Sequence, residues 1–354
     1  MLAHDRQFVA GVIARAVRPP ERIRLSEWAE KYRVVPREVS PSNPGPWRNA
    51  TMPFLAEVMD CLCPWHASET VTFVKPVQVG GTELGKNWMM AVAHAYPAPM
   101  LVIHPTKEIA RVWLQSKLMP SLKATTVLSG IVKTQKSRDG ESTAFFKSFA
   151  GGFWLITGAN TPSDLGMHSV PYILKEEWDK WAEEIEGFGD PDTLADDRQT
   201  SFHRSGMAKQ LRASTPTEKK TSRIWAAFLE GDQRHFMVPC PHCEEEQALE
   251  FFPDKDNRGG LRFNTSVPYE AKYACTHCGA LIEHYEKDAM LAKGRWVAKQ
   301  PGNGRQPSFH VNALYSSLTT WDKVAEQYLK AKDDLTKYKV FVNSVLALPW
   351  KKKA

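Results

Sequence analysis

An α/β fold, a mostly parallel sheet covered by helices, is predicted by three features of the 354-residue chain. Short apolar runs (VTFV, MLVIH, GFWLIT, VPYIL, LRAS) alternate with helix-like segments, the order expected of parallel strands joined by crossovers. The first run leads through a glycine-bearing turn into a helix, and the fourth ends in two adjacent acids, Glu176 and Glu177. Two Cys-x-x-Cys pairs then mark a smaller module.

Composition narrows the class. With 42% hydrophobic and 24% charged residues, the chain reads as an ordinary soluble globular protein. No apolar run approaches bilayer-crossing length and the N-terminus lacks a long apolar core with a cleavage site, so no membrane contact and a cytoplasmic location are expected. A net charge of +6 is compatible with a polyanionic partner without requiring one. Four of the six cysteines fall in the two pairs, which in a reducing compartment suggests metal binding; Cys61 and Cys63 read as plain thiols.

Before the first strand, Phe8, Val9, Val12, Ile13 and Val17 are spaced as on an amphipathic helix ending near Pro20. LSEWAEKY offers Ser26 as the N-cap of a short helix. The following PREVSPSNPGPWRN is too rich in proline and serine to be regular and must lie across another part of the protein. Helix resumes over Arg48–Cys63, where Pro53 and Phe54 either pack at the helix start or stack near an adenine.

The stretch Val71–Trp88, VTFVKPVQVGGTELGKNW, reads as strand, turn and helix. Gly80 and Gly81 let backbone N–H groups approach an anion, and Thr82 opens a helix whose dipole favours phosphate. Gln78, Val79 and Glu83 complete the candidate nucleotide-binding stretch, and the Thr82 hydroxyl is the candidate ligand for Mg²⁺. The usual pattern, Gly-x-x-x-x-Gly-Lys-Ser/Thr, has lysine where this chain has Gly81. Two lysines could substitute: Lys75, folding back from the start of the turn, and Lys86, one helical turn past Thr82.

Downstream, the ILKEEW segment matches the second half of a phosphate-binding site. In P-loop hydrolases the strand beside the loop ends in two acids, one supporting Mg²⁺ through its water shell and the next polarising the attacking water. Glu176 and Glu177 hold those positions; Lys175 inside the apolar run departs from the pattern. The fifth strand ends Ser214-Thr215-Pro216-Thr217, small groups at the carboxyl edge of the sheet where a γ-phosphate could be sensed. Arg111, Arg198 and Arg204 each read either as charges paired locally or as candidates to stabilise transition-state charge.

Cys240-Pro-His-Cys243 and Cys275-Thr-His-Cys278 are separated by 31 residues. Two such pairs close a tetrahedral Cys₄ site for structural Zn²⁺, with His242 and His277 outside the ligand set. From Asp288 the pattern is helical, interrupted around GNGRQPSFHVNALYSSLTTW, and it ends in one mixed-charge helix and the basic WKKKA.

Taken together these segments resemble the GpA-like branch of the large terminase subunits of tailed bacteriophages. The matching text is LSEWAEKYR, PGPWRNATMPF, KPVQVGGTE, HPTKEIARVW, GANTPSDL, ILKEEWDKW, GDPDTLADDRQTSF, STPTEKKTSRI, the CPHC and CTHCG pair, and FVNSVLALPW, in the family's order from about Leu25 to Trp350. The resemblance implies a P-loop NTPase of the ASCE/RecA-like type with an inserted or appended Cys₄ zinc ribbon. It implies an ATP-driven motor that pulls double-stranded DNA into a procapsid as a homo-oligomeric ring, with the small terminase subunit and the portal as partners, in the cytoplasm of the bacterial host.

By position it makes Lys75, Gly80, Gly81 and Thr82 the phosphate loop, Glu176 the Mg²⁺-supporting acid, Glu177 the catalytic acid, and Ser214–Thr217 the coupling motif. Gly166-Met167-His168 stands where relatives tend to carry an arginine, which leaves the finger unassigned, with Arg198 and Arg111 as candidates. The expected organisation is a helical and extended segment (1–50), an ATPase core (51–235), a zinc ribbon (236–286), and a helical segment and linker (287–354) toward a nuclease that the chain stops short of. DNA cleavage by this chain alone is not expected. Two other functions fit parts of the pattern: a helicase-like ATPase, which would need a second RecA-like domain, and a zinc-ribbon DNA-binding or assembly protein with a decayed nucleotide site.

Overall fold

The computed structural model describes residues 22–132 and 143–351. The helix expected before Pro20 and the last residues of the basic end lie outside the described residues.

After a helix, Leu25–Tyr32, the chain forms a short hairpin, β1 (Val34–Val35) with β2 (Gly45–Pro46). The five expected strands follow as β3 (Thr70–Val74), β4 (Met100–His104), β6 (Gly152–Gly158), β7 (Tyr172–Glu176) and β8 (Lys209–Ser214). With β5 (Phe146–Phe149), β9 (Arg234–Pro239), β10 (Glu246–Ala248), β14 (Arg295–Ala298) and β15 (Ser308–His310) they make one ten-stranded sheet. The order is β10-β9-β15-β3-β8-β7-β4-β6-β5, with β14 on β9. From β9 to β6 neighbours run parallel; β5, β10 and β14 pair antiparallel.

Period-two alternation splits the central strands between two cores. Val71, Phe73, Met100, Val102, Tyr172 and Leu174 face the helix Gly81–His94, whereas Val74, Leu101, Ile103 and Ile173 face Trp178, Trp181 and Phe228. Both faces are covered, so the strands read as continuous apolar runs. Lys175 falls on the second face and is wholly buried. Its Nζ lies 2.5 Å from carboxylates of Asp192 and Asp196 and 5.5 Å from the Trp178 ring centroid. A buried cation is tolerated only with such partners, so this residue belongs to the core and is no sign of decay.

Several expectations are corrected. The acid-bearing β7 is not beside the loop strand β3: β8 lies between them and pairs with both, which brings the Ser214 end of β8 between loop and acids. The segment after 287 is no separate helical tail, because β15 pairs parallel with β3 and β14 with β9. The boundary expected at 235/236 falls within β9. The last helix is two, Trp321–Ala331 and Leu335–Ser344, the second capped by Asp334. Ser26 sits inside the first helix, Leu25–Tyr32; the chain enters at Arg24, whose N–H donates to the Glu27 carboxylate at 3.2 Å. Phe54 is buried edge-on to Phe236, with ring centroids 6.1 Å apart, so it packs the core. Cys61 and Cys63 are buried, and the Cys63 sulfur accepts the Leu25 N–H at 3.3 Å.

Candidate active site

The loop between β3 and the helix Gly81–His94 is held at both ends: Lys75 N–H donates to Ser214 O at 3.1 Å and Val77 N–H to Ser344 O at 3.0 Å. Gly80 caps the helix in the left-handed region at φ 77°, and Gln78 shares that region at φ 56°. Lys75 is 5% exposed and folds back along the loop. A Cβ at position 81 would overlap Lys75 Cδ and Cε well inside van der Waals contact. The stem of Lys75 fills the space where a side chain at 81 would begin, which accounts physically for glycine where lysine usually stands. Gly81→Ala is therefore expected to push Lys75 aside. Overpacking of this kind costs about 1–3 kcal/mol, or roughly tenfold in affinity if it falls on the bound state, measurable by nucleotide titration.

Lys86 does not reach the loop. It is fully buried, with Nζ 2.5 Å from Glu83 and 3.1 Å from Ser121 Oγ, and burial pushes its ammonium down to about 8. Glu83 is also paired with Arg33 at 2.7 Å. Arg33, unmarked by any sequence pattern, is 1% exposed and donates as well to Ser121 Oγ and the Val34 carbonyl. It ties the β1–β2 hairpin to the first turn of the loop helix. The proline-rich strap of that hairpin does lie across another part: with Gly80–Glu83 it lines a cleft of about 380 Å³, to which Ser40, Trp47, Lys75 and Gln78 contribute. That volume lies in the range of small-molecule sites.

At the carboxyl edge of β7 the acids differ sharply. Glu177, in the left-handed region at φ 49°, lies 2.8 Å from both Lys75 Nζ and Lys180 Nζ. Burial opposes its ionisation, but the two ammonium groups outweigh it and hold the carboxyl down to about 2. Glu176 is 2% exposed, tucked against Gly85 of the loop helix, with Oε1 unpaired among the described residues. Burial pushes it up to about 8.

Glu176 is therefore protonated in the folded, ligand-free chain over a range where it is ionised when unfolded. Stability attributable to this residue falls as pH rises from the ordinary carboxylate range toward 8. Glu176→Gln should accordingly raise the thermal midpoint of the ligand-free chain, and more at pH 8 than at pH 6, as a melting series would record.

Asp179 was not singled out from sequence. Its Oδ2 accepts Thr217 N–H at 2.8 Å and Thr217 Oγ1 at 3.0 Å, its Oδ1 accepts Ile224 N–H at 2.7 Å, and its own N–H donates to Ser214 Oγ at 3.1 Å. The turn after Glu177 is thus bound to Ser214–Thr217, with Pro216 buried between. Neither candidate arginine lines the cleft. Arg111 lies over the Phe145 ring, 5.6 Å from its centroid, and Arg198 donates to the Gly166 carbonyl at 2.9 Å. Arg204 is exposed.

The four cysteines converge. Cys240 and Cys243 flank the β9–β10 turn; Cys275 and Cys278 lie between β12 (Ala271–Ala274) and β13 (Leu281–Ile282), which with β11 (Leu261–Phe263) form a three-stranded sheet. The four sulfurs lie within 4.8 Å of one another, with Cys240–Cys278 at 4.0 Å and Cys243–Cys275 at 3.8 Å. A tetrahedron with metal–sulfur bonds of about 2.3 Å has edges of about 3.8 Å, so the donor set fits one zinc ion. Knuckle N–H groups of His242 and His277 point at Cys240 and Cys275 sulfurs, and the His277 ring contacts the Glu246 carbonyl at 3.1 Å, outside the cluster.

A lysine-clasped glycine turn, with an acid pair two strands away, thus sits at the carboxyl edge of a mostly parallel, helix-covered sheet. The chain belongs to the phage terminase large subunit gpA family: the ATPase-domain model matches residues 41–296. The model of the gpA endonuclease domain matches residues 306–354, so the nuclease match begins inside the stretch expected to be a linker, where this structure places β15. The chain is 29% identical to the terminase large subunit of Enterobacteria phage P21, over 94% of this chain and 53% of that protein. It is 28% identical to that of Escherichia phage lambda, over 98% and 56%. It thus spans about half the length of these relatives. Among solved structures, the Thermus phage P74-26 large terminase ATPase domain aligns at 11% identity and a TM-score of 0.45, covering 81% of this chain and 91% of that one. No helix among the described residues is long and apolar enough to cross a membrane.

Proposed function

We propose that this chain hydrolyses ATP and uses the hydrolysis to move double-stranded DNA into a phage procapsid. The observation that carries the reading is the path of Lys75, from the start of the loop across Gly81 to Glu177. In that position its ammonium lies beside Gly81, within reach of β- and γ-phosphates seated on the Gly80–Thr82 N–H groups. The triphosphate competes with Glu177 for Lys75. Once Lys75 is drawn to phosphate, the Glu177 carboxylate is free to orient the attacking water and accept its proton.

Thr82 and Glu176 supply the hard oxygen donors that suit Mg²⁺, and the unpaired buried Oε1 of Glu176 favours a cation there. When bound, that ion would neutralise phosphate charge. Departure of the γ-phosphate relaxes Ser214–Thr217, which Asp179 ties to the acid turn, and so passes a displacement toward the surface. Charge on the transferring group would still want an arginine, and a missing finger costs about 10³–10⁵ in rate. Slow basal turnover in the isolated chain, faster in a homo-oligomeric ring on the portal with the small subunit, follows from that.

Packaging must accept every sequence, so contacts to DNA should be mostly to phosphates. The test is ATP turnover by the full chain with and without linear duplex DNA over a salt series. Stimulation that fades steeply with salt supports the reading. A chain that neither binds nor hydrolyses ATP at high protein concentration contradicts it.

A further inference from the structure

His104 ends β4 directly beside the acid pair. The parallel register sets Ile103 opposite Lys175, which makes His104 and Glu176 lateral neighbours at the carboxyl edge. Alternation puts them on one face: Val102 and Leu174 point to the loop helix, Ile103 and Lys175 away from it. The His104 ring packs on Trp113 with centroids 4.6 Å apart and is 3% exposed, yet its Nε2 has no partner among the described residues. Glu176 Oε1 on β7 and Thr215 Oγ1 just past β8 are also buried without partners. Three buried polar atoms without partners among the described residues thus lie at the ends of three adjacent strands. Stacking on Trp113 needs a ring and no nitrogen, so packing leaves the choice of histidine unexplained. Glu177 follows the register neighbour of His104 by one residue, and its charge acts on this imidazole.

We propose that His104 is a positioning residue for Glu177: when bound triphosphate draws Lys75 away, the imidazole N–H replaces it as the donor that holds the Glu177 carboxylate toward the attacking water. The inference rests on the hydrolytic reading above. Lys180 is the other cation on Glu177, but its side chain is 57% exposed and can swing into solvent. His104 is fixed between the sheet and Trp113 and cannot.

The experiment compares full-length wild type, His104→Phe and His104→Gln for kcat, KM for ATP, nucleotide affinity and thermal midpoint. Loss of a hydrogen bond to a charged group should lower kcat of His104→Phe about 10- to 100-fold, with KM, affinity and midpoint kept. Glutamine, which restores a donor, should recover part of the rate. In a Glu177→Gln background the phenylalanine should cost nothing further, since its effect runs through Glu177. Unchanged kcat in His104→Phe, or parallel losses of affinity and midpoint that glutamine does not relieve, overturns the proposal. If phenylalanine prevents folding, glutamine and leucine variants decide in the same way: a faster glutamine variant supports it and equal rates overturn it. An inactive wild type removes the hydrolytic reading itself, whereas an active wild type with an indifferent His104→Phe removes this inference alone.

Discussion

Replacing Glu177 with glutamine is expected to lower kcat for ATP hydrolysis by about 10²–10⁴-fold while nucleotide binding is kept or strengthened. The carboxylate is held ionised at neutral pH by Lys75 and Lys180, so it is available to polarise water without a change of protonation state. Glutamine keeps the size but loses the charge, and the attacking water then lacks its acceptor. The same change releases Lys75, whose 2.8 Å pairing with Glu177 competes with phosphate in the free chain. Affinity should therefore hold or rise as turnover falls. A filter-binding titration beside a phosphate-release assay separates the two quantities. Equal loss of both would make Glu177 a structural residue.

Removal of metal from the cysteine cluster should have the largest effect on stability. Structural zinc contributes an apparent ~10–16 kcal/mol in small finger peptides, as much as the whole stability of an ordinary domain, about 5–15 kcal/mol. Here the cluster is fused to the frame: Cys240 directly follows β9, β9 pairs with β15, and β15 pairs with the loop strand β3. Loosening the cluster should therefore reach the nucleotide site. The expected result is one zinc per chain by metal analysis. Chelation or Cys275→Ser should also lower the thermal midpoint well below the untreated value and weaken ATP binding with it. Substitution of His277, whose ring lies on the Glu246 carbonyl, should leave zinc content unchanged. A metal-free chain that melts at the same temperature would show that the cysteines serve as plain packing.

Much of this architecture was legible because the central strands are buried on both faces and long enough to carry their own signal. VTFV, MLVIH and GFWLIT could be placed by composition alone, and the glycine turn and acid pair gave the sheet its polarity. Strand order was not legible, since nothing local to LRAS says that β8 inserts between β3 and β7. Nor was the return of the chain through β15: Ser308–His310 is three residues long, and its partner β3 lies more than two hundred residues earlier. Lys175 breaks the apolar pattern of its strand because Asp192 and Asp196, 17 and 21 residues further along but near in space, neutralise it.

The site divides in the same way. Gly80, Gly81, Thr82, Glu176 and Glu177 follow from spacing and Lys75 from the family resemblance, and the structure brings all of them to one edge of the sheet. Arg33 and Asp179 hold the site through contacts with residues far along the chain, and a single Arg or Asp carries no local signal. Glu83 lines the cleft beside Thr82, and Arg33 and Lys86 bind its carboxylate and hold the first turn of the helix to the body.

The most direct measurement is ATP hydrolysis by the purified chain with linear duplex DNA, comparing wild type, Lys75→Ala and Lys86→Ala. The account predicts that Lys75→Ala abolishes turnover and most nucleotide affinity. Lys86→Ala, which removes a buried partner of Glu83, should lower the melting temperature yet retain turnover in the folded fraction. Turnover that survives Lys75→Ala and disappears with Lys86→Ala would contradict the lysine at the start of the loop, and with it the assignment of this site.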